Sequence, residues 1–192
     1  MTNDKALLVE HAVSNFETWK AAFDAHEGKR KEHSFTAHHL NRGVDDTNIV
    51  TVFMLYGDQE KVESFIDSDD LKAAMADAGV KSKPDFTFCT PTLDRVIWDR
   101  ELPAVIVRHQ VADYDAWKKV YDKLDDVRAQ AGIIGDAVNR SGDDGNLVIV
   151  YHQAETRKDL EAFMNSSTLK AAMAEAGVIS APQISFVTGG VN

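Results

Sequence analysis

An α+β fold built twice along one chain, each copy a βαββαβ unit, is predicted by three observations. Leu7–Thr92 laid over Val105–Gly190 aligns without a gap at a constant offset of 98 residues, and about 30 of the 86 positions are identical. Short apolar runs alternate at a period of two, as strands require, and the stretches between them carry apolar residues at helical spacing. Two copies of a unit this size are too few for a solenoid, which stacks three or more repeats. They suit a pseudo-symmetric pair in which one unit packs against the other.

Each copy opens on a strand, Ala6–Val13 and Ala104–Val111. Leu7, Val9, His11 and Val13 alternate with Ala6, Leu8, Glu10 and Ala12, so both faces of the first strand are expected to be covered. Asn15 and Asp113 stand where a helix N-cap belongs, because a side-chain oxygen there accepts from an otherwise unpaired helix amide. Phe16, Trp19 and Phe23 follow on one helix face. Their counterparts are Tyr114, Trp117 and Tyr121, with Val120, Leu124 and Val127 widening the second stripe.

A second strand is expected over Thr36–Arg42 and Gly135–Arg140, and a third over Asn48–Tyr56 and Asn146–Gln153. Between them lie turns rich in Asp and Gly, Gly43–Thr47 and Ser141–Gly145. Helical stretches at Gln59–Ile66 and Arg157–Met164 precede a further helix capped by Ser68 or Ser166, so the second helix of each copy is read as two pieces. Gly79 and Gly177 sit at the left-handed position that ends such a helix. Pro84 and Pro182 open a last strand. The order βαββαβ is the ferredoxin-like arrangement, an antiparallel sheet with helices on one face. The first repeat is placed at residues 1–92, a connecting segment at 93–103 and the second repeat at 104–192. Leu93–Leu102, with Val96, Ile97 and Trp98, is too apolar for a free linker and is a candidate extra strand.

Composition excludes several classes of function. The chain has 192 residues and a formal net charge of -10, with no basic stripe to meet a phosphate backbone, so nucleic acid is not an expected partner. No run approaches the 18 or so apolar residues of a membrane span, and the start Met-Thr-Asn-Asp-Lys has no secretory pattern, so a cytoplasmic protein is expected. The single cysteine, Cys89, rules out an internal disulfide framework and reads as a small buried hydrophobe.

Strand-borne His11 and His109, the helix motifs Phe16-Glu-Thr-Trp19 and Tyr114-Asp-Ala-Trp117, and Leu71–Val80 with its copy Leu169–Val178 together resemble the dimeric α/β-barrel superfamily. Within it they are similar to antibiotic-biosynthesis-monooxygenase-type domains. The resemblance covers nearly the whole chain, once per half. It implies two sheets packed face to face, with this chain supplying both partners as an internal pseudo-dimer. It also implies a pocket for a small hydrophobic or aromatic ligand and, in one branch, oxygenase chemistry without a cofactor. The superfamily holds haem-degrading enzymes, isomerases, peroxidases and stress proteins as well, so fold alone does not decide function.

His11 and His109 are the candidate acid/base residues, since imidazole exchanges a proton near neutral pH; a core histidine with satisfied nitrogens is the competing role. Trp19 and Trp117 are candidate substrate-binding walls, and also lie on the stripe that builds the core. Arg42 and Arg140, each after an asparagine, could hold an oxyanion, or instead tie down the acidic turn that follows. Arg30 and Arg128 sit where a cation favours a helix C-terminus. Asp45–Asn48 and Asp143–Asn146 read as turns, not calcium loops, and no His/Cys spacing suits zinc, so no metal or other cofactor is expected. His11, His109 or His152 could each be proposed as a haem ligand, and nothing selects one. Three readings stay open: a cofactor-independent monooxygenase on an aromatic or quinol-like substrate, a non-catalytic ligand-binding or stress-related protein, and a structural module that assembles further into a homo-oligomer.

Overall fold

The computed structural model describes residues 5–190. They divide into two compact units, one ending at Phe88 and the other Cys89–Gly190. The first contains β1 (Lys5–Ala12), α1 (Phe16–Ala25), α2 (Glu27–Glu32), β2 (Phe35–Gly43), β3 (Ile49–Tyr56), α3 (Gln59–Ile66), α4 (Asp69–Asp77) and the start of β4 (Asp85–Asp94). The second holds the rest of β4, β5 (Leu102–Gln110), α5 (Tyr114–Lys123), α6 (Asp125–Gln130), β6 (Ile133–Ser141), β7 (Leu147–Ala154), α7 (Arg157–Met164), α8 (Ser167–Glu175) and β8 (Gln183–Gly189). The hydrogen-bonded strand order is β1-β3-β2 within the first unit and β8-β5-β7-β6-β4 within the second, every pair antiparallel, as two βαββαβ repeats require.

In the first unit β3 lies between β1 and β2, with Val9 opposite Val52 and Leu40 opposite Val52. The second repeats this pattern, with Val107 and Val138 both opposite Val150, and β8 flanks β5 on the other side. Leu7, Val9 and Val13 join Phe16, Trp19, Val62 and Phe65 in one core; Val105, Val107 and Val111 join Tyr114, Trp117, Leu160 and Phe163 in the other. Ala6 and Leu8, on the alternate face of β1, are buried too, as the two-sided apolar pattern requires.

The expected caps are all made. Asn15 Oδ1 accepts from the Thr18 amide at 2.9 Å, Asp113 Oδ1 from Ala116 at 2.6 Å, and Ser68 and Ser166 Oγ from Leu71 and Leu169 at 3.1 Å. Gly79 and Gly177 take φ of 77° and 72°, and the following amides of Val80 and Val178 close onto Met75 and Met173. A side chain at these positions would be strained by its Cβ, which is why glycine ends both helices.

Two elements differ from expectation. The first helix of each unit, expected to be continuous, is also broken: His26 and Leu124, with ψ of 7° and 16°, separate α1 from α2 and α5 from α6. Neither break is at proline. An arginine one turn further on folds back onto the last carbonyl before the break: Phe23 O accepts from the His26 amide at 3.2 Å and from Arg30 Nη1, and Tyr121 O from the Leu124 amide at 3.2 Å and from Arg128 Nη1.

The connecting segment forms no extra strand. Leu93 and Asp94 extend β4, which pairs with β6, while 95–101 run without strand pairing. Gln153, fully buried on β7, meets the segment's backbone instead: Ile97 N–H donates to its Oε1 at 2.8 Å, and its Nε2 donates to Ile97 O at 3.1 Å. A side-chain amide with one donor and one acceptor edge satisfies a peptide group as a strand neighbour would.

Replacing Gln153 with Leu leaves Ile97 N–H and C=O unpaired in a half-buried place. We expect urea unfolding to show a loss of ~1–3 kcal/mol, the usual cost of orphaned polar groups. A change below a few tenths would show that water satisfies Ile97 equally well.

Candidate functional site

Each unit holds a cavity between its helices and its sheet. In the first it measures about 90 Å³, floored by Leu7, Val9, Val52 and Met54, walled by Trp19, Phe23, Phe65 and Leu71, with His11, His26 and Arg30 on its boundary. In the second it measures about 60 Å³ and is lined by Val107, His109, Trp117, Tyr121, Val150, His152, Leu169 and Met173. Both linings are overwhelmingly apolar, as small-molecule pockets generally are.

His11 and His109 enter these cavities from the first strand of their units. Both are almost fully buried, and neither ring nitrogen has a hydrogen-bond partner among the described residues. Burial pushes both imidazoles down to about 4, so each is neutral at pH 7. Trp19 and Trp117 lie beside them, with ring centroids 5.4 and 5.6 Å away, and each also stacks at 5.1 Å on the aromatic residue one turn later, Phe23 or Tyr121. The tryptophans therefore serve core and cavity wall at once.

Arg42 and Arg140 do not line either cavity. Arg42 Nε donates to Thr47 O at 2.8 Å and Arg140 Nε to Gly145 O at 2.6 Å, so both hold the β2–β3 and β6–β7 turns by a backbone carbonyl. Their guanidinium groups lie 4.1 and 4.4 Å over the rings of Phe16 and Tyr114. His38 and His39 point to opposite faces, with His39 buried and pushed down to about 4. Cys89 is buried and its thiol is pushed up to about 12, away from reactivity. Among the described residues no group of three His, Cys, Asp or Glu side chains is gathered to hold a metal ion, and no helix is long and apolar enough to cross a membrane.

The two cavities differ chemically at positions that the sequence expectations do not include as a set. Three positions change together at the repeat offset: Phe23 becomes Tyr121, His38 becomes Asp136, and Met54 becomes His152. In the second unit these form a buried polar network. Tyr121 Oη donates to Asp136 Oδ2 at 2.9 Å and lies 3.2 Å from His152 Nε2. The single phenol proton goes to the carboxylate, so His152 Nε2–H donates to the phenol oxygen. Asp136 also meets Arg128 Nε at 3.2 Å and Arg95 through two nitrogens at 2.7 and 2.8 Å. Burial alone would raise the Asp136 carboxyl, but the Arg95 and Tyr121 hydrogen bonds hold it below the usual carboxylate range. Burial pushes His152 down to about 3.

No protein-family model and no curated protein matches the sequence. Solved structures do match, along nearly the whole chain. An anthrone oxidase-like protein superposes with a TM-score of 0.68 at 14% identity, covering 98% of this chain and 94% of its own. A candidate monooxygenase from Lactobacillus acidophilus NCFM gives 0.66 at 10% identity, with the same coverage of each chain. A ferredoxin-fold protein related to antibiotic biosynthesis monooxygenases, from Listeria monocytogenes 4b F2365, gives 0.58 at 6% identity, covering 96% and 93%. These likenesses show the fold alone, two ferredoxin-like βαββαβ units carried in tandem in one chain. At such identities they establish nothing of substrate or activity.

Two outcomes follow from these environments. Unfolded histidines take up protons near pH 6.5, whereas His11, His39, His109 and His152 resist until about 4 or 3. Folding stability present at pH 7 is therefore lost as pH falls through this window, by up to ~3 kcal/mol for each of His11, His39 and His109 and by more for His152. Urea midpoints should drop between pH 7 and 4.5, and His11→Gln with His109→Gln should flatten that slope. Separately, Asp136→Asn removes the buried carboxylate shared by Arg95 and Arg128, leaving them only the more exposed Asp125, and should cost ~3 kcal/mol, whereas His38→Asn at the equivalent place should cost less than ~1 kcal/mol. Equal costs in chemical denaturation would contradict the asymmetry.

Proposed function

We propose that the cavity of each unit receives a small apolar or aromatic ligand, and that the protein acts as a cofactor-independent monooxygenase on a phenol- or quinol-like substrate. The observation that carries this reading is a neutral, buried imidazole, His11, on the boundary of an apolar cavity beside Trp19, with neither nitrogen hydrogen-bonded among the described residues. In such chemistry the substrate supplies the electrons once a base has removed its proton. His11 would take that proton, Trp19 would hold the ring plane, and the apolar lining would exclude water. Oxygen then accepts the electrons: one atom converts an activated CH₂ of the substrate into a carbonyl and the other leaves as water. His109 and Trp117 would play the same parts in the second unit. Arg42 and Arg140 keep their role in the turns. The fold shared with an anthrone oxidase-like protein supports this reading by analogy.

One observation favours a second reading, a binding protein without turnover. An imidazole pushed down to about 4 is a weak base, and its proton transfer from a phenol is uphill unless the resulting charges are stabilised where they form. The two readings separate by mixing the protein anaerobically with anthrone or a hydroquinone, admitting oxygen, and following oxygen uptake and absorbance with no flavin or metal added. Catalysis predicts saturable uptake above the spontaneous rate that falls at least ~100-fold in the folded His11→Gln/His109→Gln double variant. Saturable binding without enzyme-dependent uptake would sink the oxygenase reading and leave the binder.

A further inference from the structure

The two arginines that seal the broken helices are equivalent by sequence and unlike in charge balance. Arg128 donates to Tyr121 O at 2.6 Å and to Asp125 Oδ1 at 2.9 Å, and forms an ion pair with Asp136 Oδ2 at 3.2 Å. Arg30 has the same back-folded pose, with its guanidinium carbon 3.6 Å over the Phe23 ring and Nη1 donating to Phe23 O, and it is only 6% exposed. Where the second unit places Asp136, however, the first places His38, so no carboxylate faces Arg30 from the sheet. The acids near it on its own helices are engaged elsewhere, Asp24 with Lys20 at 2.6 Å and Glu27 with Lys31 at 2.7 Å. Among the described residues Arg30 makes no ion pair, and Phe23 O is the one acceptor on its five N–H donors.

Glu27 and Asp24 attract Arg30 from a distance without touching it, and a buried cation with no carboxylate in contact is costly and is ordinarily balanced by an acid or by a ligand. Arg30 borders both the apolar cavity and a smaller, more polar recess lined by Glu27, Lys31, Thr36 and His38, so its guanidinium stands between the two. Planar, parallel N–H groups match the two oxygens of a carboxylate. We propose that the first unit's cavity recognises an aromatic carboxylate, the ring lying against Trp19 and Phe23 and the carboxylate held by Arg30, and that the second cavity lacks this property because Asp136 already occupies Arg128. The proposal rests on the reading of the cavity as a ligand site and is independent of its oxygen chemistry.

The test compares 2-naphthoate with the neutral isostere 2-naphthamide by titration calorimetry and tryptophan fluorescence at pH 7.5. The wild-type protein should bind one naphthoate per chain, at least ~10-fold tighter than the amide. Arg30→Gln should reduce that preference to less than ~2-fold while leaving amide binding in place. His38→Asp, which installs the acid that the second unit carries at the same place, should do likewise with Arg30 intact. It decides the matter if circular dichroism shows Arg30→Gln to be unfolded. Equal affinity for the two probes, a preference that survives in the folded variants, two equivalent naphthoate sites, or binding of neither probe would each overturn the proposal. Absence of oxygen uptake alongside an intact carboxylate preference would remove the oxygenase reading alone.

Discussion

An arginine folded back beneath a broken helix is the interaction on which the character of each unit turns. At each break a backbone carbonyl, Phe23 O or Tyr121 O, accepts both from the amide at the break and from the guanidinium, which brings a full positive charge to the same place. That charge cannot be left in a low-polarity setting without compensation. The second unit compensates from within, through Asp136, Asp125 and a tyrosine, and its cavity is correspondingly smaller. The first keeps phenylalanine, histidine and methionine at the matching places, and its cavity is larger and its cation available. One duplicated scaffold thus carries two sites of different chemistry.

Much of the scaffold was legible in the sequence because it rests on local rules. A side-chain oxygen at Asn15, Ser68 or Ser166 caps the helix after it whatever the distant context. Gly79 and Gly177 end helices because only glycine takes that backbone conformation without strain. The alternation in Leu7, Val9 and His11 places a face of β1 regardless of what covers it. What escaped were features that depend on partners far apart in the chain. The break at His26 has no proline to announce it, and it is secured by Arg30 reaching seven residues back. The docking of Ile97 depends on Gln153, 56 residues away.

The site was legible in part for the same reason. His11 and Trp19 could be placed on a strand and a helix that face one another, and they do meet across a cavity. Arg42 was assigned by residue type, and residue type did not reveal that its nearest acceptors are the Thr47 carbonyl and the Glu17 carboxylate. Arg30 was read as a dipole partner, which describes its contact with Phe23 O but not its remaining donors. A signal for the asymmetry was present all along, in the concerted exchange of Phe23, His38 and Met54 for Tyr121, Asp136 and His152.

The account reduces to a claim about where a ligand sits and how it is turned. A crystal structure of the protein soaked with 2-naphthoate tests that claim most directly. Density for the ring is predicted in the first unit, against Trp19 and Phe23, with both carboxylate oxygens within hydrogen-bond reach of Arg30 and no ligand beside Tyr121. A naphthoate bound beside Tyr121, or one in the first cavity with its carboxylate turned away from Arg30, would contradict it.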